Sequence, residues 1–483
     1  MKRTIIRTST PNYLLIQRDS RSASQGRCGV CAWLPSRLRE KWCPRLNNRL
    51  IISRQIDDMY RHLSIIRTII PNYRLFGGVA LEYITREVET TVDHLLTQGK
   101  VVLVTGARQV GKTTMLKEHL GDRFRYVTLD NPIALRQAKS DAVLFFRVNS
   151  MPVIIDEIQR APELFDTVKW LVDESSDKGQ MVLTGSQSYH LMQGVSESLS
   201  GRVRIIEMSG LSLRELSHDV STPHAFVPST DVTVSCAPTI NIWSHIQRGS
   251  MPELADPSID PDAFYTDYVR TYLERDVREL ISVRDETRFY NFMVACAARS
   301  SQLVNASDIA ETVGIDQKTV RSWLSVLQAS GVVRLLQPIW TNVDKRLVKA
   351  PKLFFMDTGL ACHLTRWTSA EVLSVGAYAG HAYETFVVSE VLKSFANAGA
   401  NLRDVWFYRD ASRREIDLVI QNGRTLHPIE IKSKALVDRK DMRHFQALET
   451  VSDYEIGCGA IICQTEEPYM VSDNVIALSP WAI

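Results

Sequence analysis

Eight consecutive residues, Gly106, Ala107, Arg108, Gln109, Val110, Gly111, Lys112 and Thr113, fit the pattern G-x4-G-K-[ST]. They follow an apolar run, Lys100–Thr105, and precede a helical stretch, Thr114–Leu120. Glycine lets successive backbone amides turn toward one point, and a helix N-terminus adds its positive end, so phosphate oxygens are the natural guest. Lys112 is placed to reach β- and γ-phosphates and the Thr113 hydroxyl to ligate Mg²⁺, with Thr114 continuing the cradle. ATP and Mg²⁺ are the expected cofactors. Val153-Ile154-Ile155-Asp156-Glu157 is an apolar strand ending in two carboxylates. Asp156 suits the hold on Mg²⁺, usually through water. Glu157 suits a base or water-positioning group, which a site that only binds would not need. After the next apolar run, Ser186 is the first choice, and Thr184 the second, for a polar sensor of the γ-phosphate or the attacking water. Arg202 is read as an arginine finger or sensor, against the plain alternative of an exposed arginine.

A second group of chemistry-bearing residues lies near the C-terminus. Gln421-Asn422-Gly423-Arg424 centres on Asn-Gly, the preferred type I′ hairpin turn. A loop of those two residues sets Asp417 opposite Pro428 and Glu415 opposite Glu430. Faces alternate along a strand, so Glu415, Asp417, Glu430 and Lys432 share one face, while Ile416, Leu418, Ile420, Ile429 and Ile431 share the other. Asp417 and Glu430 become diagonal neighbours roughly 7–8 Å apart. A shared metal ion spans that distance, in the D-x(n)-E-x-K arrangement of metal-dependent nucleases, with Lys432 opposing developing charge. Glu384, on a helix over Tyr383–Leu392, is a further candidate ligand, and Gln446 a supporting residue. Glu415 opposite Glu430 calls for a cation, since like charges directly opposite repel.

Between these groups, Ser307 is a candidate cap for a short helix, Asp308–Val313, turning at Gly314. Asp316 caps a second helix running through Ser330, and Gly331 ends it. With strands over Val332–Ile339 and Leu347–Phe355 around Asn342–Arg346, this reads as a winged helix. Lys318, Arg321 and Ser322 could face DNA, with Lys345 and Arg346 on the wing; the alternative is a module used for protein packing.

The elements that position these residues follow from periodicity. Short apolar runs at Lys100–Thr105, Tyr126–Leu129, Val153–Ile155, Met181–Thr184 and Val203–Met208 are separated by helical stretches, which predicts a P-loop, doubly wound parallel α/β sheet. The expected divisions are a basic, disordered extension over 1–55, an ATPase domain over 76–217, a linker and helical region over 218–300, the winged helix over 301–356, and a nuclease-like α/β domain over 357–483.

Taken in order, GARQVGKTT, VIIDEIQ, LTGSQS, SGRVRIIEM and YLERDVREL resemble the AAA+-related ATPases of bacteria and archaea that carry a C-terminal DUF4143 domain. LFFMDTGLACHL, YETFVVSEVLK and EIDLVI…PIEIK continue the resemblance, which covers about 78–470. It implies an ATPase core, a winged-helix segment and a terminal domain similar to restriction-endonuclease-like nucleases.

Composition sets limits on partners. The chain has 483 residues and a formal charge of +2, but residues 1–55 carry 12 Lys/Arg against Asp19 and Glu40 alone, and the remainder sums to −8. An acidic body argues against strong non-specific DNA affinity, which depends on Lys/Arg neutralising phosphates. No apolar run approaches the roughly 18 residues of a membrane span, and the apolar patch Tyr13–Ile16 is too short for a signal peptide. Eight sparse cysteines exclude a disulfide scaffold; Cys28-x-x-Cys31 with Cys43 opens like a zinc site but lacks a second pair. A cytoplasmic location without membrane contact is expected. The leading reading is a Mg²⁺-dependent ATPase coupling nucleotide state to a nuclease-like or DNA-binding module, with a homo-oligomer as one assembly. The alternatives are a slow nucleotide-regulated switch holding a protein partner, and a metal-dependent DNA endonuclease.

Overall fold

The computed structural model describes residues 4–6, 14–16, 83–185, 195, 198–220, 222–231, 240–273, 286–339, 350–451 and 453–483. The chain divides into two units, Met1–Glu82 and Tyr83–Ile483. In the first, β1 (Thr4–Ile6) pairs antiparallel with β2 (Leu14–Ile16); Cys28, Cys31 and Cys43 lie outside the described residues. The second unit holds all that follows.

Its first sheet is wholly parallel. The strands β3 (Val101–Thr105), β4 (Arg125–Thr128), β5 (Val153–Asp156), β6 (Met181–Thr184) and β7 (Val203–Glu207) lie in the order β4-β5-β6-β3-β7. Alternate residues enter two different cores. Val102, Val104, Ile154, Val182 and Ile206 pack on one face, and Val101, Leu103, Val153, Ile155 and Leu183 on the other. The central strands β3, β5 and β6 are buried on both faces, which is why they read as continuous apolar runs, while β4 and β7 at the edges are partly exposed. Helix α1 (Val88–Gln98) precedes β3, and α2 (Lys112–Leu120) follows it.

Helices α3 (Pro261–Tyr272) and α4 (Glu286–Ala297) lead to a helix pair, α5 (Ala306–Val313) and α6 (Gln317–Ala329). A three-stranded sheet follows, ordered β8 (Gln302–Leu303), β10 (Lys352–Phe355), β9 (Val333–Leu336). The expected wing tip, with Lys345 and Arg346, lies outside the described residues. Ile309, Val320, Leu324 and Leu353 join the same core as Val104 and Met208, so the helix pair and the parallel sheet share one apolar interior. The cap of α5 differs from expectation. Asn305 Oδ1, not Ser307, accepts from the Ser307 and Asp308 amides at 3.2 and 3.3 Å, and the Ser307 hydroxyl donates to that same oxygen. The Asn side chain reaches the second and third amides of the helix, so the helix begins two residues earlier.

The C-terminal part wraps a mixed sheet around α7 (Ala379–Asn397). This helix buries residues around its whole circumference, including the ion pair Glu390–Lys393 at 2.6 Å, so it runs through the interior rather than over the surface. The sheet order is β11 (Val405–Arg409), β12 (Glu415–Asn422), β13 (Thr425–Ile431), β15 (Gly459–Ile462), β17 (Val475–Leu478), β16 (Tyr469–Ser472), with β14 (Glu455–Ile456) beside β13. Among the described residues, no helix is long and apolar enough to cross a membrane.

The β12–β13 hairpin corrects two expectations. Asn422 pairs with Thr425, so the loop is Gly423-Arg424, with a φ of 61° at Gly423. Positive φ at the first loop position fits a II′ turn. This register places Leu418 opposite Ile429, two buried apolar residues, where the Asn-Gly loop would have set Leu418 against His427. Register follows such apolar matching. The second correction is a bulge. Trp406 pairs with Val419 but Tyr408 with Ile416, so Asp417 and Leu418 together stand opposite Phe407. Ile416 therefore packs with Val419, and not with Leu418 and Ile420 as simple alternation requires. We expect Asn305→Ala to lower stability by about 1 kcal/mol in a thermal or urea melt, and Ser307→Ala to cost markedly less.

Candidate functional site

The loop between β3 and α2 has a backbone that its residue types explain. Gly106 has a φ of 143°, and a Cβ there would lie 2.0 Å from the Met208 carbonyl oxygen. Gly111, at φ 90°, caps α2, and Gln109 is also left-handed at 61°. The Lys112 ammonium donates to the Gly106 and Ala107 carbonyls at 2.9 and 2.7 Å, curling over the loop it belongs to. A glycine turn running into the start of α2 is the kind of backbone that can cradle an anion.

Asp156 and Thr113 meet beside this cradle. The Thr113 hydroxyl donates to Asp156 Oδ2 at 2.8 Å, and the Tyr126 hydroxyl donates to the same oxygen at 2.7 Å. Burial, with Asp156 as second cause, raises the Tyr126 pKa. A hydroxyl and a carboxylate are hard oxygen donors, which suits Mg²⁺. Glu157 is half-buried and left-handed, with φ 58°, a strained backbone of the kind found at functional sites. Its carboxylate accepts from the Gln159 amide. Thr184 is paired by register with Asp156, and its hydroxyl is buried without a hydrogen-bond partner. Ser186 lies outside the described residues.

Arg202 is not near the loop of its own chain. It precedes β7, and Val101 pairs with Val203 while Thr105 pairs with Glu207, so the length of a five-residue strand, roughly 16 Å, separates it from the loop end of the sheet. Its guanidinium grips Asp173 at 2.6 and 3.0 Å on the exposed far edge. A sensor role within the same chain is therefore overturned.

Arg86, which no motif pointed to, anchors the loop from behind. It is 3% exposed and donates to the carbonyls of Val110 and Ser209, both at 2.8 Å, and to Glu215 Oε1 at 2.9 Å. Glu215 also accepts from the Glu87 amide. Glu87 Oε2 in turn accepts from the Ser212 hydroxyl and from the Asn397 amide, at 3.1 and 2.9 Å. Asn397 closes α7, and the Glu390 carboxylate of that helix accepts from the Leu213 amide at 2.9 Å. A buried polar chain thus runs from the phosphate-binding loop to the C-terminal helix.

At the carboxylate hairpin the missed residue is Lys352, from β10. Its ammonium, 3% exposed, lies 2.6 Å from Glu415 Oε1, 2.9 Å from Glu384 Oε1 and 3.9 Å from Asp417 Oδ1. Burial alone would lower its pKa, yet Glu384, Asp417 and Glu415 together raise it. The only sequence signal was a lysine opening an otherwise apolar strand, Lys352-Leu353-Phe354-Phe355. Glu415 Oε2 accepts from Arg409, Asp417 Oδ2 from the Ile431 amide at 2.8 Å, and Glu430 Oε1 from Lys432 at 2.6 Å. Burial pushes Glu430 up to about 8 and Glu384 up to about 7, each against the pull of a lysine, Lys432 and Lys352 respectively. Gln446 is exposed on a 3₁₀ turn, Phe445–Thr450. Among the described residues, no three His, Cys, Asp or Glu side chains converge as a metal site.

Three family models match successive stretches of the chain. An AAA domain family matches residues 98–217, a family described as Domain of unknown function (DUF8612) matches 240–371, and Domain of unknown function (DUF4143) matches 379–482. Uncharacterized proteins of Mycobacterium bovis and Mycobacterium tuberculosis are each 29% identical over 398 residues, 81% of this chain and 83% of theirs. Among solved structures, a Walker-type ATPase of Pyrococcus abyssi aligns with 59% of this chain and 98% of its own at 16% identity and a TM-score of 0.37. The Holliday junction branch migration motor RuvB of Thermotoga maritima aligns with 51% and 88% at 18% identity and a TM-score of 0.26. We expect Gly106→Ala to abolish binding of a fluorescent ATP analogue while circular dichroism stays unchanged, because its methyl group would meet the Met208 carbonyl.

Proposed function

We propose that this chain, in which an AAA domain precedes a C-terminal DUF4143 domain, binds and hydrolyses ATP with Mg²⁺ and passes its nucleotide state to the C-terminal part. The observation that carries the reading is the meeting of Thr113 and Asp156 at 2.8 Å beside a loop only glycine can form. Thr113 and Asp156 would hold Mg²⁺, which when bound neutralises phosphate charge. Lys112 leaves the carbonyls of Gly106 and Ala107 for phosphate oxygens, a stronger charge-assisted partner. Glu157 orients water and takes up its proton; Ser186 or the unpartnered Thr184 hydroxyl reads the γ-phosphate. Arg202 of a neighbouring copy could complete the site in a homo-oligomer.

Two routes support coupling. One is the buried chain from Val110 through Arg86, Glu215 and Glu87 to Asn397. The other is contact between the loop and the helix pair: a Cβ on Gly331 would lie 3.2 Å from the Ala107 amide nitrogen, and Ser330 bonds Tyr272 of α3 at 2.7 Å. A change at the loop reaches α3 and α7 through packed, hydrogen-bonded neighbours.

The second reading is a slower switch that holds a protein partner, favoured by the modest charge of the helix pair. Lys318, Arg321 and Ser322 are exposed on α6, and this winged-helix-like surface offers two cations to DNA within an acidic body. For the ATPase itself, Lys112→Ala is expected to abolish turnover. Glu157→Gln should keep nucleotide affinity and lose about 10²–10⁴-fold in kcat; wild-type turnover in Lys112→Ala would refute the assignment. DNA-stimulated turnover that disappears in the Lys318→Ala/Arg321→Ala protein would favour the DNA-coupled reading. Turnover indifferent to single-stranded, duplex and branched DNA would favour the protein-partner switch.

A further inference from the structure

The nuclease-like hairpin was expected to hold a divalent metal between Asp417 and Glu430, and the arrangement around it does not fit one. We propose that the Lys352 ammonium is the resident cation of this carboxylate cluster, and that the C-terminal part uses the cluster to clamp strand β10 instead of cleaving a phosphodiester.

Most of the carboxylate oxygens are already committed. Glu415 divides its two between Lys352, at 2.6 Å, and Arg409. Asp417 turns Oδ1 toward Lys352 and accepts the Ile431 amide on Oδ2. Glu384 gives Oε1 to Lys352 at 2.9 Å. Glu430 gives Oε1 to Lys432 and keeps one buried oxygen without a partner; with Glu384 Oε2 that leaves two donors where a divalent ion needs several. An ion bound at the usual short distance to Asp417 and Glu384 would sit against the ammonium, a like charge in a poorly solvated space.

Lys352 has no means of stepping aside with its strand. Its backbone is paired on both sides, with Leu336 of β9 and Leu303 of β8. Its ammonium lies over the ring of Phe407, 5.7 Å from the centroid. The lysine comes from the segment that shares its core with the ATPase sheet, and the carboxylates come from α7 and β12. The cluster is thus a cross-segment ion-pair clasp, opened by removing either the cation or the carboxylates.

The test uses the whole chain without nucleotide, so that the phosphate-binding loop has no phosphate to complete a metal site. Mn²⁺ is titrated into wild type and Asp417→Asn, followed by calorimetry and electron paramagnetic resonance. The same stoichiometry in both is expected; one Mn²⁺ fewer in Asp417→Asn overturns the proposal. Melting temperatures are measured for wild type and Lys352→Ala with EDTA or Mn²⁺. The clasp predicts a fall of about 5 °C or more in Lys352→Ala. Mn²⁺ should recover part of that fall, and the recovery should vanish in Lys352→Ala/Asp417→Asn. An unchanged melting temperature in Lys352→Ala overturns the clasp. If Lys352→Ala does not fold, the wild-type titration decides alone. Mn²⁺-dependent nicking of supercoiled DNA by wild type, lost in Asp417→Asn, would also refute it. None of these readouts depends on ATP turnover, so they stand apart from the ATPase assignment.

Discussion

A guanidinium with 3% exposure is sustainable only if its hydrogens find acceptors and its charge finds a carboxylate, and Arg86 finds both in separate pieces of chain. Its acceptors are a loop carbonyl, a carbonyl just after β7, and Glu215, which closes a capping box with Ser212. Moving any one of them leaves part of a buried charge unanswered, at a cost of several kcal/mol. The phosphate-binding loop is therefore held from behind by an interaction that also fixes the segment leading to α7.

The same constraint recurs outward from the loop. Glu87 is half of a buried pair with Arg214 at 2.9 Å and also accepts from Asn397; burial raises its pKa against the pull of that arginine. Lys393 answers Glu390 within α7 and donates to the Leu211 carbonyl at 2.9 Å. Lys352 answers Glu384 and Glu415. Apolar packing alone would let these segments slide with modest penalty. Buried charges do not, because each has few partners and a steep cost for losing them. The loop and α7 are thus mutually specified parts of one body.

How far the site was legible depended on how local its chemistry is. The cradle, Thr113 and Asp156 could be named because a glycine-rich turn between a strand and a helix needs residues in one short window, and an apolar run ending in acids marks the neighbouring strand tip. The α6 cap by Asp316 was likewise local, its Oδ1 accepting from Thr319 at 2.9 Å. The cap of α5 failed by two residues because Asn305 and Ser307 are both good capping types, and only the chain's entry angle decides between them. Arg202 precedes β7, and in a parallel sheet that order already sets it at the end away from the loop that follows β3, so within one chain it is a surface arginine. Arg86, Tyr126 and Lys352 escaped notice because each acts on a residue at least 24 positions away.

The hairpin shows the division most clearly. Alternating carboxylates and aliphatics around Asn-Gly pointed to two antiparallel strands carrying acids, but the opposition of Glu415 and Glu430 from which a cation was argued is absent from the observed register. Which residues stand opposite one another was decided by Leu418 meeting Ile429 and by the bulge against Phe407, both properties of neighbouring strands. Which cation answers the acids was decided by β10, a strand of another sheet. Periodicity and turn chemistry are short-range properties that a sequence carries openly. The partner of a buried charge is a long-range property, and it exists only once the segments have packed.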